Sequence, residues 1–388
     1  MWQRRFRSWF VILAFVGLVA AACGDDGDGG GGGGGGGGEG SIWVLLPDTA
    51  TSDRWEKDDR RFFGEAFEAA GLAEGDDFTI VNAEGDAATQ QSQAEQAIAD
   101  GASVIVLTSL DTGSGAAIID QAKEAGVDVV EYDRFNTGGS GGAAYVSFDN
   151  VQVGATMAEF LEPAIDALGV PTPRVVMLNG GEEDNNSFLF RDGYAETVEA
   201  RVDAGDWELV ADQHVPAWDN AEAQTIMEQI LVANDNDVDA VFAANDGLAN
   251  SAINALEAAG VGPVPVSGQD ATVAGMQNIL LGKQTMSVYK PIEAEASVAA
   301  AVALALRADE DITAIDPGFE FSIFGIEAAT GQPTDSAEGE GIVPYFGLVP
   351  VGVTADNIAE TVIADGFLTV ADICTGDVAD TDFCQENA

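Results

Sequence analysis

The sequence predicts an α/β fold: two similar doubly wound lobes, each on a parallel sheet, joined by three hinge crossings. Three observations predict it. Short apolar, β-branched runs alternate with helical patterns along most of the chain, as parallel sheets with crossover helices require. The series restarts once, at Tyr145–Asn150, and late segments return to each lobe. Five runs also end in planar polar groups. Ile42–Pro47 leads to Asp53, Arg54 and Trp55, and Val127–Tyr132 leads to Asp133 and Arg134. Arg174–Asn179 leads to Asp184, Asn185 and Asn186, Ala240–Ala243 to Asn245 and Asp246, and Val264–Ser267 to Gln269 and Asp270. Open α/β sheets place their ligands outside the carboxyl ends of the strands.

The elements follow in order. Residues 1–22 read as an export signal: Arg4, Arg5 and Arg7 precede an apolar run, Phe10–Ala22, that is short for a membrane span. Ala20-Ala21-Ala22-Cys23 resembles a bacterial lipoprotein cleavage box, with Ala20 where a Leu is usual, so Cys23 is the expected lipidated residue. Residues 23–40 form a tether whose glycine run, Gly29–Gly38, has nothing to bury. Strand Ile42–Leu46 then leads to a helix over Trp55–Ala70 with Phe62, Phe63 and Phe67 on its apolar face. Strands at Phe78–Val81, Val104–Leu107 and Val127–Tyr132 enclose helices at Gln90–Asp100 and Gly115–Ala125, each closed by a C-cap glycine, Gly101 and Gly126.

The second series opens with helix Val151–Leu168 and runs through strands at Val175, Leu209, Ala240 and Val264 to Thr285–Pro291. A long alanine-rich helix, Ile292–Arg307, follows. Short strands near Phe319–Ile323 and Leu348–Val351 and a last helix, Ala355–Asp365, complete the body, with the acidic stretch Gly331–Gly341 as a surface loop. The expected lobes are 41–149 plus 290–348 and 150–289 plus 349–388. The crossings are Ser147–Asn150, Thr285–Lys290 and Leu348–Val351. Such linkers permit hinge closure over a ligand. Cys374 and Cys384, close together after an export signal, read as a disulfide.

Composition narrows the function. With 15 basic and 66 acidic residues the formal charge is −51, which argues against nucleic acid or an anionic membrane surface as partner. The acidity reads either as a solvated, soluble surface or as adaptation to high salt. A single histidine, His214, argues against a metal site, and no cofactor motif is present. Neither a GxSxG elbow nor a GxxxxGK[ST] loop occurs, so an enzyme finds little support. A transcription regulator of this fold would need an N-terminal helix-turn-helix and a basic surface.

The strand-end set suits a sugar. Hydroxyls donate to carboxylates, accept from Arg and Lys, and do both with Asn, while an aromatic face covers the C–H side of the ring. One Asp or Asn after a strand is more often a helix cap; agreement among five strand ends weakens that reading. In combination, SDRWEKD (52–58), YDR (132–134), YVSFDN (145–150), DNNSFLFR (184–191), AAND (243–246), SGQDA (267–271) and QTMSVYKPI (284–292) resemble the periplasmic sugar-binding proteins of ABC importers, of the type I fold, and most closely the D-xylose-binding proteins. The resemblance spans roughly Ile42–Phe367. It implies that Arg54, Asp133, Arg134, Asn186, Arg191, Asn245, Asp270 and Lys290 hydrogen-bond the sugar. Trp55 and Trp218 would pack on its ring, with Lys57, Asn185 and Asp246 in support. The residues before YDR, Val130 and Glu131, replace a more apolar pair of the family: an outward Glu131 is harmless and an inward one alters the pocket. The expectation is a non-enzymatic, extracytoplasmic lipoprotein, a monomer held to the cell membrane only by its lipid, that delivers an aldose to an ABC permease. A receptor serving a chemosensor, or a binder of a different monosaccharide, is the alternative.

Overall fold

The computed structural model describes residues 40–49, 52 and 54–387. The export signal, Cys23, the glycine run and Asp53 lie outside them.

The first sheet carries eight strands. β1 (Ser41–Leu46), β2 (Phe78–Asn82), β3 (Ala102–Leu107), β4 (Asp128–Tyr132) and β5 (Ala144–Phe148) are its parallel part. The second sheet holds β6 (Arg174–Asn179), β7 (Glu208–His214) and β8 (Ala240–Ala243), all parallel, in the order β7-β6-β8. β9 (Ser287–Tyr289) precedes β10 (Phe321–Glu327), β11 (Pro333–Thr334) and β12 (Ile342–Leu348). These last three extend the first sheet to the order β11-β10-β12-β5-β4-β3-β1-β2, with β12 parallel to β5 and β10 antiparallel to both of its neighbours. β13 (Val351–Val353) then pairs antiparallel with β9. The chain therefore leaves the first sheet after Phe148, returns between Tyr289 and Phe321, and leaves again between Leu348 and Val351.

The helices between them are α1 (Arg60–Ala69), α2 (Ala87–Ala99), α3 (Thr112–Glu124), α4 (Asn150–Asp166), α5 (Asn185–Asp203), α6 (Asn220–Ala233), α7 (Asp246–Ala258), α8 (Val273–Leu280) and α9 (Ile292–Arg307). Alternation along β1, β3 and β4 separates two cores. Val44, Val106, Val130 and Tyr132 face Phe63, Phe67 and Ala299 of α1 and α9, whereas Leu45, Ile105 and Val129 face Ala94, Ile118 and Ile119 of α2 and α3. Each such side chain, fully buried, contributes about 1.5–3 kcal/mol. Gly154 and Gly193 let α4 and α5 touch backbone to backbone: a Cβ on Gly154 would lie 1.9 Å from the Phe190 carbonyl oxygen.

Five expectations need correction. Val264–Ser267 forms only one bridge, Val266 to Val241, because Pro263 and Pro265 have no N–H for a ladder. The segment before α1 is wound more widely than an α-helix: Trp55–Asp59 is a π-helical turn. The expected last helix shrinks to a π-helical turn at Ala359–Ile363. β12, missed in the sequence, has an uninterrupted apolar run only from Tyr345 onward, after Pro344. The Gly331–Gly341 stretch also carries β11 rather than being loop throughout. A disulfide joins Cys374 to Cys384, and Ile373 beside it packs with Met276, Ile279 and Tyr289.

Candidate functional site

A narrow cavity of about 40 Å³ opens where the strand ends of the two sheets meet. From the first sheet's side come Ser52, Arg54, Trp55, Asp133 and Arg134; from the second come Asp184, Asn186, Phe190, Trp218, Asn245, Gln269 and Asp270, with Lys290 from the segment after β9.

The loop after β4 shapes the first wall. Asp133 takes a left-handed backbone, φ +61°, unusual for a residue with a Cβ. Three donors hold its carbonyl oxygen: Asn186 Nδ2 at 2.7 Å, Tyr145 Oη at 2.8 Å and Ser147 Oγ at 3.0 Å. Its carboxylate Oδ2 lies 3.1 Å from Arg54 Nη1 and 3.5 Å from Lys290 Nζ. Burial works against this charge, but Lys290, Arg54 and Arg134 outweigh it and hold the carboxyl at about 2. Behind the loop, Glu131 is buried yet does not line the cavity. Its carboxylate accepts from the Asn136 N–H and side-chain amide and from the Gly142 N–H, pinning the loop at both ends. Burial raises it to about 7 despite those bonds.

Arg54 is held from behind as much as it faces the cavity. Nε and Nη2 grip both oxygens of Asp59 at 3.0 and 2.9 Å, and Nη2 also reaches Glu295 Oε2 of α9 at 2.9 Å. Tyr132 Oη donates to the same Asp59 at 2.6 Å. Burial opposes the guanidinium charge, and Asp59, Asp133 and Glu295 more than restore it. The Glu295 carboxyl pays the electrostatic cost: burial and Asp133 push it well above the usual range against the pull of Arg54. The Arg54 guanidinium stacks over Trp55 with 4.1 Å to the ring centroid, and that of Arg134 lies 5.7 Å from the same ring.

The second wall is built on helix starts. Asp184 caps α5 by accepting from the Asn186 N–H and faces Arg134 Nε at 3.5 Å. Asn245 caps α7 through its Oδ1, so the capping and the site readings hold at once for this residue. Trp218 sits on a left-handed turn, Ala217 and Trp218 having φ of +54° and +53°. The indole lies over Gly180, where any Cβ would come within 2.1 Å of it, and against Phe190. Asp270, φ +91°, is tied by its N–H to the Val288 carbonyl and sits 3.6 Å from Lys290 Nζ. Burial disfavours the Lys290 ammonium, but Asp133 and Asp270 raise its affinity for the proton overall. Behind this loop Asp246 is buried. It accepts from Gln284 Nε2, Ser287 Oγ and the Thr272 N–H, each at 2.8 Å, and burial raises it to about 7.

Nine of the ten expected sugar ligands thus meet in one cavity. Arg191 does not. It lies five residues beyond Asn186 on α5, on a face turned toward β7, where Nη2 grips Asp212 at 2.6 Å. Of the supporting set, Lys57 is exposed outside the cavity, Asp246 braces the Asp270 loop, and the Asn185 amide donates to the Gly331 carbonyl at 3.2 Å. The sequence reading missed Asp184 and Gln269 as lining groups although both stand in its motifs. Phe190, one helical turn past Asn186, was legible from period alone. Asp59 and Glu295 were not, since a buried carboxylate behind a ligand leaves no pattern. Two buried polar atoms on lining residues, Trp218 Nε1 and Gln269 Oε1, find no partner in the protein. Among the described residues no cluster of His, Cys, Asp and Glu is arranged to hold a metal ion.

Known proteins place this geometry. Residues 43–311 match the periplasmic binding protein domain. The D-xylose-binding periplasmic protein of Escherichia coli is 36% identical over 325 residues, covering 82% of this chain and 88% of that protein. That of Haemophilus influenzae is 36% identical over 326 residues, covering 84% and 90%. Among solved structures, a carbohydrate transporter solute-binding protein from Chloroflexus aurantiacus in complex with D-glucose has a TM-score of 0.73 at 26% identity, covering 85% of this chain and 97% of that one. An ABC transporter solute-binding protein from Clostridium phytofermentans with bound β-D-glucose has a TM-score of 0.72 at 27% identity, covering 86% and 99%. The chain belongs to the periplasmic binding protein family, with the type I fold.

Proposed function

We propose that this protein is an extracytoplasmic, non-enzymatic binding protein that captures D-xylose in the cavity and delivers it to an ABC permease. The observation that carries the sugar reading is the wall chemistry. Ionised Asp133, the cations Arg54, Arg134 and Lys290, and the indoles of Trp55 and Trp218 surround one space. The unpartnered Trp218 Nε1 and Gln269 Oε1 offer a donor and an acceptor to hydroxyls within it. The relatives at 36% identity that bind D-xylose support the pentose over the hexose held by the solved neighbours. Titration calorimetry against D-xylose, D-glucose, D-allose and myo-inositol tests it: D-xylose should bind tightest, and tenfold tighter binding of D-glucose would overturn the choice of sugar.

The lobes, in this reading, are 41–149 plus 290–348 and 150–289 plus 349–388, and they close on the sugar as rigid bodies. A smaller radius of gyration at saturating sugar is the expected small-angle scattering result; no change despite calorimetric binding would remove the hinge. Cys23, we further propose, carries the lipid that holds the protein at the membrane as a monomer, and Cys23→Ala should move it to the soluble fraction.

A further inference from the structure

The turn Glu183–Asn186, at the start of α5 in the second lobe, bonds to the first lobe through residues that do not line the cavity. The Thr112 N–H, one of the unsatisfied donors at the start of α3, donates to the Glu183 carbonyl at 3.2 Å. The Asn185 amide donates to the Gly331 carbonyl at 3.2 Å. Gly331 takes φ +69°, and a Cβ there would come within 2.5 Å of Asn185 Oδ1, so this close approach depends on glycine. Asn185 is 6% exposed and does not line the cavity. The same turn makes the Arg134–Asp184 ion pair and the Asn186 bond to the Asp133 carbonyl, both on the cavity wall.

We propose that this turn is a sugar-independent clasp between the lobes, and that Asn185 and the Thr112 N–H set ligand affinity without touching the ligand. The inference rests on lobe closure as read above. Apparent affinity falls in proportion to the closed fraction, so each bond present only in the closed form raises affinity and slows release. Losing one ordinary hydrogen bond should change the closed-to-open ratio about three- to tenfold.

Two variants remove one bond each by different means. Asn185→Ala deletes the amide. Thr112→Pro deletes the N–H together with the Thr side chain but keeps the helix start, because Thr112 is the first residue of α3, where proline is tolerated, and Asp111 before it is already extended at φ −146°. Single-molecule FRET between labels on the two lobes, without sugar, should show a closed population in the parent and about three- to tenfold less in each variant. Stopped-flow release of D-xylose should speed up by the same factor. A clasp acting only with sugar present, seen as a fully open free parent with faster release in the variants, overturns sugar independence. Unchanged populations and release rates, or a lower ligand-free melting temperature with unchanged affinity in the folded fraction, overturn the clasp itself. If the parent binds no sugar of the panel yet Thr112→Pro still opens the free protein, the clasp stands and the sugar reading falls.

Discussion

The two lobes offer the ligand the same device in different electrostatic settings. Each presents an aspartate on a left-handed backbone, Asp133 after β4 in the first and Asp270 after the Val266 bridge in the second. Each braces that loop from behind with a buried carboxylate, Glu131 and Asp246, both raised to about 7 by burial. The difference lies in the cations. Asp133 is surrounded by Arg54, Arg134 and Lys290 and is buried, whereas Asp270 pairs, among the described residues, with Lys290 at 3.6 Å and has its side chain 19% exposed. The aromatic walls differ likewise: Trp55 lies under two guanidinium groups, Trp218 against Phe190 and the Gly180 backbone. One aspartate therefore organises the site and the other completes it.

Four experiments break or sharpen that contrast. Asp133→Asn leaves three buried cations without their shared anion, which costs about 3–5 kcal/mol; sugar binding and the ligand-free melt should both suffer. A loss confined to binding would mean that Asp133 only completes the site. Asp270→Ala should weaken binding by about 2–3 kcal/mol and leave the ligand-free melting temperature close to the parent's; a drop of several degrees would make it a structural residue. Trp218→Ala should cost roughly 1–2 kcal/mol of binding, with Trp218→Phe recovering much of it; equal losses in both variants would point to the indole N–H rather than the ring face.

The bracing pair gives a pH dependence. Glu131 and Asp246 keep their protons in the folded chain up to about pH 7, whereas in the unfolded chain they lose them in the ordinary carboxylate range. The folded state therefore binds more protons across that window, so their contribution to stability is full below about pH 4 and is lost as pH rises toward 7. Denaturant melts between pH 5 and 7.5 should show a fall of roughly 2 kcal/mol for each of the two groups, which Asp246→Asn and Glu131→Gln each reduce. An unchanged slope in both variants would assign the effect elsewhere.

Much of this was legible beforehand, and for identifiable reasons. Strands and helices announce themselves by period, so the parallel sheets and helix Ile292–Arg307 stood in the sequence as they stand in the structure. The site was legible because its residues follow strands directly. What escaped lies across long separations. Glu295 reaches Arg54 from 241 residues away, and Asn185 reaches Gly331 from 146. Arg191 misled for the opposite reason: its place in a matching motif says nothing of the helix face it occupies. Pro263 and Pro265 were visible warnings against a full strand at Val264–Ser267.

The placement of the cations has a consequence for encounter kinetics. Three of the 15 basic residues of a chain with 66 acidic ones are gathered inside the cavity. A ligand approaching from solvent therefore crosses a negative field before it meets an interior whose three cations are matched by Asp133, Asp184 and Asp270. For an uncharged aldose that field exerts no net pull, so its association rate should barely change with ionic strength. An aldonate or uronate of similar size is repelled at long range, so added salt should speed its arrival by screening that repulsion. The acidic exterior thus acts as a kinetic filter for neutral sugars, ahead of any discrimination by the residues that touch them.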